Sequence, residues 1–271
     1  MSLFFSIAVH SSVKMRKEFY YFIYKRTELK YTSTQGAQYA DMLTSRTESQ
    51  ASTDRIYSVM TEFLSAFAFD CDAEIIPEPG MSTELNSTLA RYTGGYQAHR
   101  RVPIQEIMEE FYYIPPIRNE EQATLLRLYR QARSSRNVYL NILFYWHSLV
   151  FPSQNDSAAV DFVDNLCRDL PRNLTFISER IDRIMDAPIF RPSSTKIESL
   201  GYYIRDGVRN SIAHIVRDRP DTQDIRLDLH SELRHLNDIS DVLHHFSRYR
   251  LKNDFNINEP HDLEIFRYFD P

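Results

Sequence analysis

Apolar residues alternate with polar ones near the start of the chain, and they recur at helical spacing soon afterwards. Within residues 4 to 30, the runs FFSIAV and EFYYFIYK are aromatic or β-branched, which is typical of strands. Residues 31 to 54 are rich in Ser, Thr and Gln and predict a loop. A predicted helix, DRIYSVMTEFLSAFAF, and an extended segment, DCDAEIIPEPG, follow. The pattern therefore predicts a small α+β part over residues 1 to 95.

Beyond about residue 100 the helical pattern dominates. Apolar positions three and four residues apart predict five helices: PIQEIMEEFYYI, NEEQATLLRLYRQARSS, NVYLNILFYWHSLVF, SAAVDFVDNLCRDL and LTFISERIDRIM. DIRLDLH alternates like a short strand, and a further helix is then lined by Leu233, Leu236, Ile239, Leu243 and Phe246. We therefore expect a mainly α protein, with a helical bundle over residues 96 to 271 after the small N-terminal α+β part.

Composition supports helices and excludes several classes of site. Only 6 glycines stand against 17 tyrosines and 17 phenylalanines, which disfavours turn-rich sandwiches and glycine-dependent phosphate loops. Cys71 and Cys167 are far apart and form no CxxC pair, so the sequence signals neither a disulfide framework nor a thiolate zinc site. The net charge of −5 argues against nonspecific coating of nucleic acid, although it leaves room for a local basic site.

The opening MSLFFSIAVHSSVK has an apolar run that is too short to span a bilayer, and no basic residue precedes it. We therefore expect a soluble, cytoplasmic protein that makes no contact with a membrane.

The segment RDGVRNSIAHIVRDRP, residues 205 to 220, has two stripes if it belongs to one helix over about residues 196 to 217. The apolar stripe, which we expect to be buried, consists of Ile204, Val208, Ile212 and Ile215. The polar stripe on the opposite side consists of Asp206, Asn210, His214 and Arg217. The spacing thus places His214 away from the core.

Positive charge and an unusual glycine accompany the polar stripe. Arg205 and Arg217 suit phosphate, and together with Asp206 they are the candidate substrate-binding residues. A glycine within a helix costs ~1 kcal/mol relative to alanine, so Gly207 indicates close approach by another backbone or by a ligand. Arg209 lies about 140° from His214 around the helix, so only the fold or a second subunit can bring them together.

In the segment VRNSIAH, Asn210 directly follows Arg209, and four residues separate Arg209 from His214. This pattern resembles the signature of the HEPN superfamily of helical bundles. Three stretches within residues 55 to 250 also resemble the MauJ-like branch, named after methylamine utilisation: EFLSAFAF, LLRLYRQARSSRNVYLNILFYWHSLV and the helix with RNSIAH.

The resemblance implies a homodimer whose paired motif helices build one site, with Gly207, Asn210 and His214 facing the two-fold partner. It implies a metal-independent endoribonuclease of toxin, defence or RNA-processing type, acting on RNA and not on DNA, with no cofactor. Arg209 and His214 would be the catalytic pair and Asn210 a supporting residue. Two alternatives stand beside it: a noncatalytic module that binds RNA, a nucleotide or a protein, and a surface helix whose polar residues bind water or cap a neighbouring segment.

Other groups of polar and aromatic residues have ordinary structural explanations. The histidines near the C-terminal helix form no HExxH, and the step of five from His230 to His235 splays the two rings apart, so we expect no metal site. The adjacent glutamates at residues 109 to 110 and 120 to 121 diverge by about 100° on a helix and suit a solvated face. The aromatic runs are more typical of a bundle core than of base stacking.

Overall fold

The computed structural model describes residues 2–34, 38–47, 53–78, 81–85, 101, 104, 106–108, 114, 117–170, 175–190, 199–213 and 230–257. The chain divides into two compact units. Unit 1 contains the described residues of Met1–Ser134 and Ile257–Pro271, and unit 2 consists of those of Ser135–Asn256. The boundary differs from the one expected at residue 95, because helix 120–134 packs against helix 53–70 within unit 1.

Unit 1 contains a small antiparallel sheet and a separate pair of parallel strands. Its strands are β1 (Ser2–Ser11), β2 (Val13–Met15), β3 (Phe19–Tyr24), β4 (Thr27–Thr32), β5 (Asp41–Thr47), β6 (Ile75–Pro77), β7 (Met81–Leu85) and β8 (Glu106–Met108). The main sheet has the order β3-β4-β5-β1-β6, and β7 also pairs with β1. β2 and β8 form a separate parallel pair.

Among its described residues, unit 1 contains two helices, α1 (Thr53–Asp70) and α2 (Glu120–Ser134). Alternation along β3 buries Phe22, whose ring lies 4.6 Å from that of Phe63 on α1. Phe67, one helical turn further along α1, meets Tyr31 of β4 edge to face at 6.2 Å. Apolar and aromatic side chains of α1 thus fill the space above one face of the sheet.

Unit 2 is entirely helical where the structure describes it. Its helices are α3 (Val138–Val150), α4 (Asp156–Arg168), α5 (Thr175–Asp186), α6 (Leu200–Tyr202), a π-helical segment (Tyr203–Arg209), α7 (Asn210–Ala213) and α8 (His230–Asn253). α8 packs along α3, and Trp146 and Phe246 are fully buried. Between these two helices, the hydroxyls of Ser148 and Ser247 lie 2.9 Å apart, which satisfies both polar groups inside the core.

The fold class is confirmed: the protein is mainly helical, with a small α+β part at its N-terminal end. The alternation predicted the strands before residue 30, and the helical spacing predicted α1 to α5 and α8. Of the residues expected to line α8, Leu236, Ile239, Leu243 and Phe246 are buried. The strand suggested by DIRLDLH lies outside the described residues, apart from its last histidine.

Two segments differ from the sequence-based expectation. The predicted loop after residue 31 contains β5, because the Ser45 hydroxyl donates to the Glu28 carbonyl and Thr44 pairs with Ser6, which fits polar residues into the sheet. The first predicted helix beyond residue 100 contains β8, because Glu106–Met108 pair with β2. A short apolar run fits both spacings, and the available partner decides between them.

Candidate functional site

The candidate site lies on one continuous helix of unit 2, formed by α6, the π-helical segment and α7, which we call the motif helix. The Ser199 side chain begins this helix by accepting a hydrogen bond from the Tyr202 N–H at 3.3 Å. The Asn210 N–H donates to the Arg205 carbonyl, five residues back, as in a π-helix. The expectation of a regular α-helix is therefore wrong over Tyr203–Arg209, where the chain forms the wider turns of a π-helix.

The apolar stripe of the motif helix is buried as the spacing predicted. Ile204 and Val208 are fully enclosed and Ile212 is 8% exposed. The fourth residue of that stripe, Ile215, lies outside the described residues. The π-helical segment therefore keeps the same side of the helix toward the core.

Gly207 is buried within its own chain. A Cβ added there would lie 2.8 Å from the Phe190 carbonyl oxygen and 3.0 Å from the Tyr203 ring. The close approach expected at this glycine is thus made by a backbone segment. The prediction that Gly207 faces a two-fold partner is wrong, because Phe190 and Tyr203 of the same chain already occupy its surface.

The polar side of the motif helix carries a chain of hydrogen bonds. Asn210 Oδ1 accepts from Arg209 Nη1 at 2.8 Å, and Asn210 Nδ2 donates to Asp206 Oδ1 at 3.3 Å. Asp206 in turn receives two hydrogen bonds from Arg205, at 3.0 and 2.6 Å. These bonds raise the pKa of Arg205 above its ordinary value, so its guanidinium is fully charged. The four candidate residues described here therefore form one network.

The network is accessible but partly neutralised. The Arg209 side chain is 27% exposed, and its Nη2 lies 3.8 Å from Asp156 Oδ2 at the start of α4. Trp146 fixes Asp156 by donating its indole N–H to Oδ1 at 2.9 Å. Sequence reasoning missed Asp156, because it lies far from the motif in the chain and only the packing of α4 against α6 brings it close.

Sequence reasoning also missed a hydrogen-bonded pair, Tyr203 and His235, on the buried side of the motif helix. The Tyr203 hydroxyl lies 2.7 Å from His235 Nε2 and accepts from the Phe190 N–H at 3.2 Å. Burial lowers the pKa of His235 to about 4 and raises that of Tyr203 to about 12, so both side chains are neutral near pH 7. A neutral imidazole can accept a hydrogen bond from the hydroxyl at Nε2 while the hydroxyl oxygen accepts from the Phe190 N–H, which satisfies all three polar groups. The apolar stripe around His235 on α8 was the available signal for its burial.

Two predicted site residues, His214 and Arg217, lie outside the described residues. The structure therefore brings together Arg205, Asp206, Arg209 and Asn210. Within the described part of the chain, no three His, Cys, Asp or Glu side chains are arranged to hold a metal ion. Nor does any helix there combine the length and apolar character needed to cross a bilayer.

Comparisons of the chain with protein-family models, with curated proteins and with solved structures gave no match.

Proposed function

We propose that the protein is a homodimeric, metal-independent endoribonuclease of the HEPN type. The observation that carries the proposal is the contact between Arg209 and Asn210, whose side chains bond at 2.8 Å on the accessible side of the motif helix. The HEPN-like motif assigns roles to these two neighbours, and the hydrogen bond gives the guanidinium a defined orientation.

The buried side of the motif helix supports the same proposal. Gly207 packs on the Phe190 carbonyl, and the Tyr203 hydroxyl is held by His235 and by the Phe190 N–H. These contacts fix the helix along its buried face, so that the side chains opposite are carried on a rigid element.

In the proposed reaction, the RNA 2′-hydroxyl attacks the adjacent phosphorus and the bond from phosphorus to the 5′-oxygen breaks. The products are a 2′,3′-cyclic phosphate and a 5′-hydroxyl. His214 removes or delivers protons, since an imidazole titrating near ~6.5 serves as acid or base around neutrality. Arg209 binds the phosphate oxygens with its planar fork, and Asn210 orients that fork. Arg205 adds positive charge once substrate competes with Asp206.

The decisive experiment is incubation of the wild type and of His214→Ala with mixed RNA in excess chelator. We expect His214→Ala to lose roughly 10²-fold or more of the cleavage rate, the usual effect of removing a positioned acid or base. Arg209→Lys should be impaired too, because an ammonium group cannot reproduce a bidentate contact.

Arg234→Lys, at an exposed position of α8, is the matched control and should cleave like the wild type. DNA should survive because it has no 2′-hydroxyl. Cleavage that persists in His214→Ala, or that also consumes DNA, would contradict the assignment.

One observation favours a second candidate, a noncatalytic HEPN-like module that binds RNA, a nucleotide or a protein. Asp206 pairs with Arg205 and Asp156 lies near Arg209, so carboxylates already balance both cations in this conformation. Such a module would retain RNA on a filter without shortening it, and Arg209→Lys would then weaken retention.

A further inference from the structure

Arg130 of α2 is a buried arginine in unit 1, remote in sequence from the motif helix. Only 8% of the residue is exposed, and its Nε donates to Ser65 Oγ of α1 at 3.0 Å. The Ser65 hydroxyl gives its own hydrogen to the Thr61 carbonyl at 2.7 Å, so it serves Arg130 only as an acceptor. Among the described residues, neither Nη group of Arg130 has an acceptor.

The charge of Arg130 is not balanced by a neighbouring acid. Burial lowers the pKa of Arg130 to about 10, Tyr57 raises it, and the nearby Arg127 lowers it. The guanidinium is therefore charged at neutral pH, and no described carboxylate pairs with it. A mostly buried cation without a counter-ion is costly, and the unbonded Nη atoms of Arg130, which are not fully enclosed, are open to an anion from outside the chain.

Neighbouring groups differ from Arg130 in this respect. Arg133, three residues further along α2, pairs with Asp72 at 3.2 Å. Glu62 lies three residues before Ser65 on α1, but it pairs with Lys25 and receives the Tyr24 hydroxyl hydrogen bond at 3.3 Å. The acid closest to Ser65 along α1 is thus already engaged.

We propose that Arg130, Arg127 and the Tyr57 hydroxyl form a binding site for a phosphoryl group where α1 meets α2. Arg127 lies three residues before Arg130, on the same side of α2, and is exposed. Two guanidinium groups match the charge of a phosphate dianion, and each presents paired N–H donors at the spacing of phosphate oxygens. The Tyr57 hydroxyl supplies a further donor. Its three residues belong to unit 1 and none of them is part of the motif helix, so the proposal does not rest on the proposed ribonuclease activity.

Calorimetric titration of the full chain with inorganic phosphate and with adenosine 5′-monophosphate tests the proposal, at ionic strength held constant with sodium chloride. We expect saturable binding that Arg130→Met weakens by about tenfold or more and Arg127→Met by roughly fivefold. Arg234→Met, which removes the same charge at an exposed position of α8, should bind like the wild type. Equal affinity for both ligands identifies free phosphate, whereas tighter binding of the nucleotide identifies a nucleotide as the source.

Arg209→Met distinguishes this site from the motif helix, because it removes the phosphate-binding cation proposed there: loss of binding in Arg209→Met but not in Arg130→Met would place the bound phosphate on the motif helix. The proposal is overturned if the wild type binds neither ligand, if Arg130→Met binds like the wild type, or if only Arg209→Met loses binding. Arg127→Met alters an exposed residue, so the same comparison remains decisive where Arg130→Met does not fold.

Thermal unfolding gives an independent readout. Without phosphate, Arg130→Met should melt at or above the wild-type temperature, because an apolar chain of similar length replaces an unbalanced buried charge. Phosphate should raise the melting temperature of the wild type and leave that of Arg130→Met unchanged. If Arg130 were purely structural, Arg130→Met would melt at a lower temperature than the wild type, and phosphate would change the melting temperature of neither protein.

Discussion

At the scale of single residues, the surroundings within unit 2 determine the size of the side chain tolerated at Gly207 and the charge state of His235. Gly207 lies against the Phe190 carbonyl and the Tyr203 ring, where no side chain fits. His235 is almost fully buried and binds the Tyr203 hydroxyl, so the core favours its neutral form. Both residues act on the position of the motif helix and neither belongs to its accessible polar side.

Gly207→Ala should destabilise the protein although alanine is the better helix former. The added methyl would lie 2.8 Å from a backbone oxygen that cannot move without displacing Phe190. We expect a loss of roughly 1 to 3 kcal/mol in the free energy of unfolding, measured by denaturant titration. Asn237→Ala, at an exposed position within α8, is the control and should be neutral or slightly stabilising. Unchanged or increased stability of Gly207→Ala would contradict the close packing.

His235 should make stability depend on pH below neutrality. Its pKa falls from 6.5 to about 4 on folding, mainly through burial, so the unfolded chain takes up a proton that the folded chain does not. The free energy of unfolding should therefore be highest above pH 6.5 and should decrease as the pH falls toward 4, by up to about 3 kcal/mol. His235→Gln, which cannot titrate, should flatten the difference between denaturant midpoints measured across this range. If the stability of His235→Gln depends on pH as that of the wild type does, groups other than His235 cause this dependence.

At the scale of elements, α4 connects the core of unit 2 to the candidate site. Asn155 begins α4 by accepting the Ser157 N–H at 2.9 Å, and the next residue, Asp156, binds Trp146 and lies near Arg209. The start of this helix therefore places a carboxylate beside the motif helix.

Asn155→Ala should weaken the start of α4. Loss of an N-cap oxygen costs roughly 0.5 to 2 kcal/mol, which thermal or denaturant unfolding would reveal. Asn155→Asp retains an acceptor at the same place and adds a charge suited to a helix N-terminus, so it should preserve stability. Equal stability of the alanine and aspartate variants would show that this cap contributes nothing measurable.

At the scale of the whole molecule, the proposed activity requires two chains, because the motif of one chain supplies a single arginine and a single histidine. Light scattering of the full chain should give twice the mass of one 32.0 kDa chain. Cleavage activity per chain should fall when the protein is diluted below the dissociation constant of the dimer. A monomer at every accessible concentration that still cleaves RNA would rule out the composite site.

The sequence by itself determined the class of fold and the two faces of the motif helix. Burial follows periodicity directly, since an amphipathic helix must turn its apolar side inward, and Ile204, Val208 and Ile212 did so. Adjacent Arg209 and Asn210 were also identified from the sequence, through the resemblance of VRNSIAH to the HEPN signature. The hydrogen bond between the two side chains was not predicted, because neighbouring side chains on a regular helix point apart.

Tertiary structure alone decided the remainder. β5 exists because neighbouring strands accept its serine and threonine side chains, and β8 because β2 offers it a partner. Asp156 and His235 reach the motif helix from segments distant in the chain. The Phe190 carbonyl leaves no room for a Cβ at residue 207, which accounts for the glycine there. Periodicity within a segment reports which of its faces is apolar, but it carries no information about which distant segment will lie against that face.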